Sequence, residues 1–413
     1  MDTALASVAT ALKGTGGGHV VAVGVTSMAE TGVLLDTAGQ PVAPAIAWHD
    51  NRGAEEAAQL ARQIGYEQFV ARTGIAPRPL CSAAKYRWLQ RHIPSSRLGT
   101  RWLNVAEWVV HALGGDQAAE FSLACRTGFL DRTARTWWDE TLEWAEAPKH
   151  MLPALRAAGT AWGIVKSDDI GSPLRGAVLT VAGHDHLSAA VGAGATTPEV
   201  VFDSCGTAEA LVRAVPPQID DETVVRTVDA GVGVGWHVID DHLALLGAQR
   251  EGFALRRFLD LLGINASSLS GLDERAATNV EAPAGGLRVL DAEGDSASLT
   301  GIGRTPSPEQ VWRAAVEAVV ERGAQLFDVV AGFGTVERMV VAGGWAHSPT
   351  LRAVKRRRLP VPLDVPAVVE AGARGAALLA GCAAGIFSNA NAVPRPHTAT
   401  LEQLAAAGRD MHG

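Results

Sequence analysis

Asp185 stands between two histidines, His184 and His186, where the apolar run of residues 177–181 ends. Gly183 precedes it, and Ala189, Ala190, Gly192 and Gly194 follow. A carboxylate on a loop leaving a buried strand lies where open α/β sheets bind ligands, and it can accept a proton from a substrate hydroxyl. Aspartate is equally a favoured helix N-cap, so this loop alone supports a general base and a structural cap alike. The two imidazoles fall short of the three or four ligands of a zinc centre, and no His-x-x-x-His occurs elsewhere, so metal hydrolysis is not expected.

Two further clusters carry possible chemistry. Ser204-Cys205-Gly206-Thr207 separates two short apolar runs, and a Gly-Thr turn offers N–H groups and a hydroxyl to a phosphate without needing a lysine. An ordinary hairpin turn has the same composition. Gly343-Gly344-Trp345-Ala346-His347-Ser348-Pro349 follows the apolar run 339–342, and paired glycines there let a flat ring lie against the main chain. A plain strand-to-helix turn reads the same way. No Gly-x-x-x-x-Gly-Lys is present, which excludes a P-loop. Lys355-Arg356-Arg357-Arg358 reads as a solvated helix end.

Elements that could position these clusters are visible in the pattern. Residues 20–25 and 177–181 predict buried strands, residues 32–36 and 41–44 a hairpin, and 53–114 a mostly helical stretch with Trp88, Leu89 and Trp102 in its core. Residues 200–202 and 210–212 predict a second hairpin. Helices are expected near 252–262 and over 308–330, with a strand at 339–342. Helix–strand alternation on both sides of a break near residue 195 predicts α/β architecture in two domains, 1–195 and 196–413, flanking a cleft. The length of 413 residues suits that count. With 44 acidic against 36 basic residues, the chain is a poor candidate for nucleic-acid binding. Its four cysteines are dispersed, and no apolar run approaches a membrane span, so a cytoplasmic protein without membrane partners is expected.

Taken in order, these segments resemble the FGGY family of carbohydrate kinases over residues 20–385. The stretches 24–30, 34–36 and 47–52 are similar to the family's sugar-facing segment, and 82–89 to its first signature. Residues 122–128 and 138–139 resemble the stretch beyond that signature, and Gly183-His184-Asp185-His186 the catalytic loop. Residues 301–302 and 310–317 resemble the second signature, one residue short in spacing, while Gly343-Gly344 and 370–377 resemble the adenosine end. The resemblance implies two RNase H-like (actin-like ATPase) domains closing over ATP and a sugar or polyol, with Mg²⁺. It implies Asp185 as general base and possible Mg²⁺ ligand. Ser27, Met28, Ala29, Glu30, Trp48 and His186 would face the sugar. Gly206 and Thr207 would face the phosphates, Gly252 would pass near the nucleotide, and Gly343, Gly344 and Ser348 would line the adenosine pocket. A solvated turn for Glu30 and a core position for Trp48 are the competing structural readings. A ketopentose such as xylulose is the favoured substrate.

The sequence also departs from the family in Leu80, which differs from the usual first residue of the first signature, and in containing no Asp-x-Gly-Thr, the motif of the family's opening strand pair. Three strands of the first sheet are therefore expected to be absent, leaving residues 20–25 with an open edge that invites self-association into a homodimer. Weak phosphoryl transfer is expected of the chain, and a non-catalytic sugar- or nucleotide-binding protein of kinase-like fold is the alternative.

Overall fold

The structure is a computed structural model that describes residues 2–13, 18–166, 174–278, 286–292, 296–303, 305–400 and 403–404. Two sheets organise it. In the first, strands Ala22–Ser27 and Val178–His184 pair in parallel, with the register shifting between Val25 and Ser27 so that Ser27 stands opposite His184. Parallel strands end on the same side, so the segments after Ser27 and after His184 emerge next to one another. The Thr26 hydroxyl donates to the Gly183 carbonyl at 2.7 Å and ties the two ends together. Among the described residues no third strand joins this pair, and Val21 is 55% exposed.

The second sheet has six strands. Their order is Val232–Trp236, Leu243–Gln249, Glu209–Val215, Val200–Cys205, Arg338–Ala342 and Leu363–Asp364, the first three pairings antiparallel and the last two parallel. The expected hairpin forms, with Gly206-Thr207 at its turn. Helix Pro308–Ala331 covers one face with Trp312, Val316, Val319 and Phe327 buried, helped by a Ser307 capping box and a proline in its first turn. The short helix Asp185–Gly192 packs on the other face: Leu187 and Val191 share a core with Phe202, Val212 and Val340.

Helix Ala371–Ala383 returns from late in the chain to lie against the first sheet and helix Asp185–Gly192. Glycines make this approach possible. A Cβ on Gly24 would lie 2.1 Å from the Ala376 carbonyl oxygen, and one on Gly375 only 1.8 Å from that of Ser188.

Two expectations from the sequence are corrected. Strand Gly32–Leu35 pairs antiparallel with Arg101–Asn104, and residues 41–44 form no strand against it, adding the bridge from Leu35 to Pro41 and a hydrogen bond from the Val42 N–H to the Leu34 carbonyl at 2.9 Å. Pro41 and Pro44 lack the N–H groups that a ladder needs, whereas Arg101–Asn104 supplies them and buries Trp102 and Leu103. The stretch 53–114 accordingly contains a strand between its helices. Leu89 and Trp102 are core residues as expected, but Trp88 is only partly buried and stacks on the His92 ring.

Candidate active site

Asp185 is the first residue of its helix, and its side chain is 42% exposed. Oδ1 accepts a hydrogen bond from the His186 N–H at 2.8 Å and lies 3.3 Å from Nε2 of His184. These interactions leave Oδ2 as the oxygen open to a ligand. His184 is buried edge-to-face with His186, and burial pushes its pKa down to about 4, so it is neutral at physiological pH.

The loop is held from behind. The His184 N–H donates to the Ser122 hydroxyl at 3.0 Å, and that hydroxyl donates to Glu120 Oε2 at 2.5 Å. Gly183, at φ 78°, leaves no room for a Cβ between Ser122 and Val238. Burial raises the Glu120 carboxyl from 4.5 to about 7, against hydrogen bonds from Ser122 and Leu123 that favour its charged form. A carboxyl raised on folding stabilises fully below its unfolded pKa, here near 4.5, and loses that contribution as pH rises through 7. Glu120→Gln removes this titration. Urea unfolding is therefore expected to show the variant gaining about 3 kcal/mol on the unaltered protein between pH 4 and pH 8.

Beyond strand Ala22–Ser27, Glu30 is buried at φ 57°. Its Oε1 accepts from Arg126 Nε at 2.6 Å. Lys85, wholly buried, donates to the carbonyls of Glu30 at 2.9 Å and Ala47 at 2.8 Å, which pins the segment carrying Trp48 beside Glu30. Glu30 lies three residues beyond Ser27, which stands opposite His184, so this cluster follows the same strand end as Asp185. Trp48 is 39% exposed and lines a cavity of about 370 Å³ with Ile75, Arg78 and Arg126 from the first half of the chain and Ala208, Gln249 and Arg250 from the second. Met28 is exposed. The Ser27 hydroxyl accepts from the Ala106 N–H and donates to the Met28 carbonyl, while Ala29 is packed in the core.

The second sheet repeats the logic of the first. Ala342 stands opposite Ser204 in a parallel pair, so Gly343-Gly344 and Gly206-Thr207 leave the sheet side by side. Gly343 adopts φ 102°, and a Cβ there would sit 2.5 Å from the Cys205 carbonyl oxygen. Gly252, in the first turn of helix Glu251–Leu261, presses on the carbonyls of Gly206 and Thr207. Thr207 is exposed and Gly344 faces open space. Ser348 is wholly buried, and its hydroxyl caps helix Pro349–Arg358 through the Leu351 N–H.

Beneath the Gly206-Thr207 turn lies a cluster that sequence reasoning missed. Lys355 is buried, not solvated, because it shares the inner face of its helix with Leu351, one turn earlier. Its ammonium binds Asp203 and Glu209, lies 3.2 Å from Cys205 Sγ and is 4.0 Å from a Glu251 oxygen. Burial alone would discharge it, yet the surrounding acids hold its pKa well above the ordinary lysine value. Burial and Glu251 push Glu209 well above the carboxylate range. Among the described residues, Asp203, Cys205 and Glu209 form the one donor group with metal-like spacing, and the lysine supplies their cation.

Two α/β units, each delivering paired turns from the carboxyl ends of parallel strands, define the actin-like two-domain ATPase fold. Comparison with known proteins gives the family. Residues 1–192 match the family model "FGGY family of carbohydrate kinases, N-terminal domain". A glycerol kinase from Methylobacterium nodulans is 30% identical over 413 residues, covering 94% of this chain and 80% of its own length. Among solved structures, a xylulose kinase from Rhodospirillum rubrum superposes with a TM-score of 0.78 at 23% identity, covering 94% of this chain and 82% of that one. Glycerol kinase from Plasmodium falciparum with ADP superposes at 0.77 and 19% identity, covering 94% and 78%. The chain belongs to the FGGY family of carbohydrate kinases and is a phosphotransferase by class. No described helix is long and apolar enough to cross a membrane.

Proposed function

We propose that the chain transfers the γ-phosphoryl group of ATP to a hydroxyl of a small ketose or polyol, with residues 1–195 carrying the sugar site and 196–413 the nucleotide site. The observation that carries this reading is the placement of Asp185. It is a half-exposed carboxylate at the carboxyl end of a parallel strand pair, near the partly buried Glu30–Arg126 pair, on a helix packed against the hairpin that bears Gly206-Thr207. Oδ2 takes the proton as the hydroxyl oxygen attacks phosphorus and the bond to the β-phosphate oxygen breaks, with ADP leaving. Glu30 accepts hydrogen bonds from sugar hydroxyls, Trp48 offers an apolar face, and His186, Ser27 and Met28 complete the rim. Ala29 contributes by packing. Gly206, Thr207 and Gly252 receive the phosphates, Gly343 and Gly344 the adenosine, and Ser348 holds the helix behind them. The exposed Asp185 oxygen suits a hard cation, and Mg²⁺ accompanying the nucleotide would neutralise charge on the phosphates.

A ketopentose such as xylulose is the first candidate, supported by the fold likeness to a xylulose kinase; glycerol is the second, supported by sequence relatives that are glycerol kinases. A coupled ADP-release assay with D-xylulose, D-ribulose and glycerol tests this. Acceptor-dependent ADP release, fastest with a ketopentose, is expected. Faster release with glycerol would reassign the substrate. Ligand-induced melting shifts without any ADP release would favour a binding protein instead.

A further inference from the structure

We propose that Lys355 is a positioning residue for the nucleotide: its buried ammonium ties the acidic residues bracketing the Gly206-Thr207 turn to the helix that follows Gly343-Gly344, holding both turns in one arrangement. The inference rests on the proposed role of those turns in holding the nucleotide.

The geometry is specific. Asp203 and Glu209 lie on the two arms of one hairpin, before and after the turn, with Glu209 opposite Cys205 in the ladder. Lys355 comes from a third segment, helix Pro349–Arg358, capped by Ser348 just beyond the paired glycines. Glu251, whose carboxylate is 4.0 Å from the ammonium, begins the helix whose Gly252 presses on the turn. One cation thus links its own helix, which follows Gly343-Gly344, to the hairpin that turns at Gly206-Thr207 and to the helix that bears Gly252. The cluster is wholly buried while Thr207 is exposed, so Lys355 acts through the turn and not on the ligand.

A tether made only for stability has a simpler form. Replacing a buried ion pair with apolar side chains of similar volume is often neutral or stabilising, so stability alone does not account for this cluster. The lysine ammonium sits among Asp203, Cys205 and Glu209, the described donor group whose spacing could hold a metal ion.

Calorimetric titration of the full chain with ADP and Mg²⁺, and separately with D-xylulose and glycerol, tests the assignment. Lys355→Met leaves bare acids in the core and can fail to fold, so the charge-neutral double variant Lys355→Met with Asp203→Asn is used. Lys355→Arg, which keeps the charge and displaces it, serves if the double variant does not fold. The Kd for ADP is expected to rise by about tenfold in the folded variant, with acceptor binding unchanged. An ADP Kd within about threefold of the unaltered protein, equal weakening of both ligand classes, or no ADP binding by the unaltered chain overturns the proposal. Failure of the base assignment shows separately, as normal turnover in Asp185→Asn, and leaves the ADP result standing.

Discussion

In the Asp185→Asn variant, turnover falls by about 10²–10⁴-fold, the range that general-base catalysis contributes, while ADP and acceptor bind as before. Asparagine keeps the shape and retains an oxygen for the His186 N–H that Oδ1 now accepts. What it lacks is the capacity to take a proton. Because the side chain is 42% exposed, losing its charge leaves nothing stranded in the core, and melting should move little. Stopped assays of ADP formation together with calorimetric Kd values check both halves. Unchanged turnover would assign the proton to another group and reduce Asp185 to a helix-start residue.

Glu30→Gln carries the second large effect. Glutamine preserves size and one acceptor oxygen, but it removes the charge that pairs with Arg126 at 2.6 Å. A hydrogen bond from a hydroxyl to a charged acceptor contributes about 1.5–3 kcal/mol, so the acceptor KM should rise roughly 10–150-fold. The KM for ATP should stay constant, since Glu30 lies on the sugar side. The backbone at φ 57° is held by the Lys85 ammonium on the Glu30 carbonyl, which the substitution leaves in place. Steady-state kinetics with each substrate varied separately provide the check, and an unchanged acceptor KM would remove Glu30 from the sugar site.

Asp185 and the glycine pairs were legible because their signals are local. A strand predicted at 177–181 or 339–342 must end in a turn, and glycine or aspartate at that turn states its conformational and chemical options within a few residues. Nothing local ties Glu120 and Ser122 to His184, 62 residues beyond Ser122. Arg126 meets Glu30 across 96 positions, Lys85 reaches the Glu30 carbonyl across 55, and Lys355 meets Asp203 across 152. Charged residues of this kind read as solvent-facing until a partner of opposite charge is known to be buried with them. Lys355, followed by three arginines, was the clearest case.

By itself the sequence determined the α/β alternation, the strands that end at the candidate site and the order of motifs along the chain. Each of these stems from periodicity and turn chemistry over short spans. Only the tertiary structure decided which turns stand side by side, that Lys85 and Lys355 are interior cations, and that a late helix closes over the first sheet. Parallel register, burial of charge and the close approach of Gly24 and Gly375 to neighbouring backbone are properties of segments far apart in the chain, and they come into being only when those segments pack.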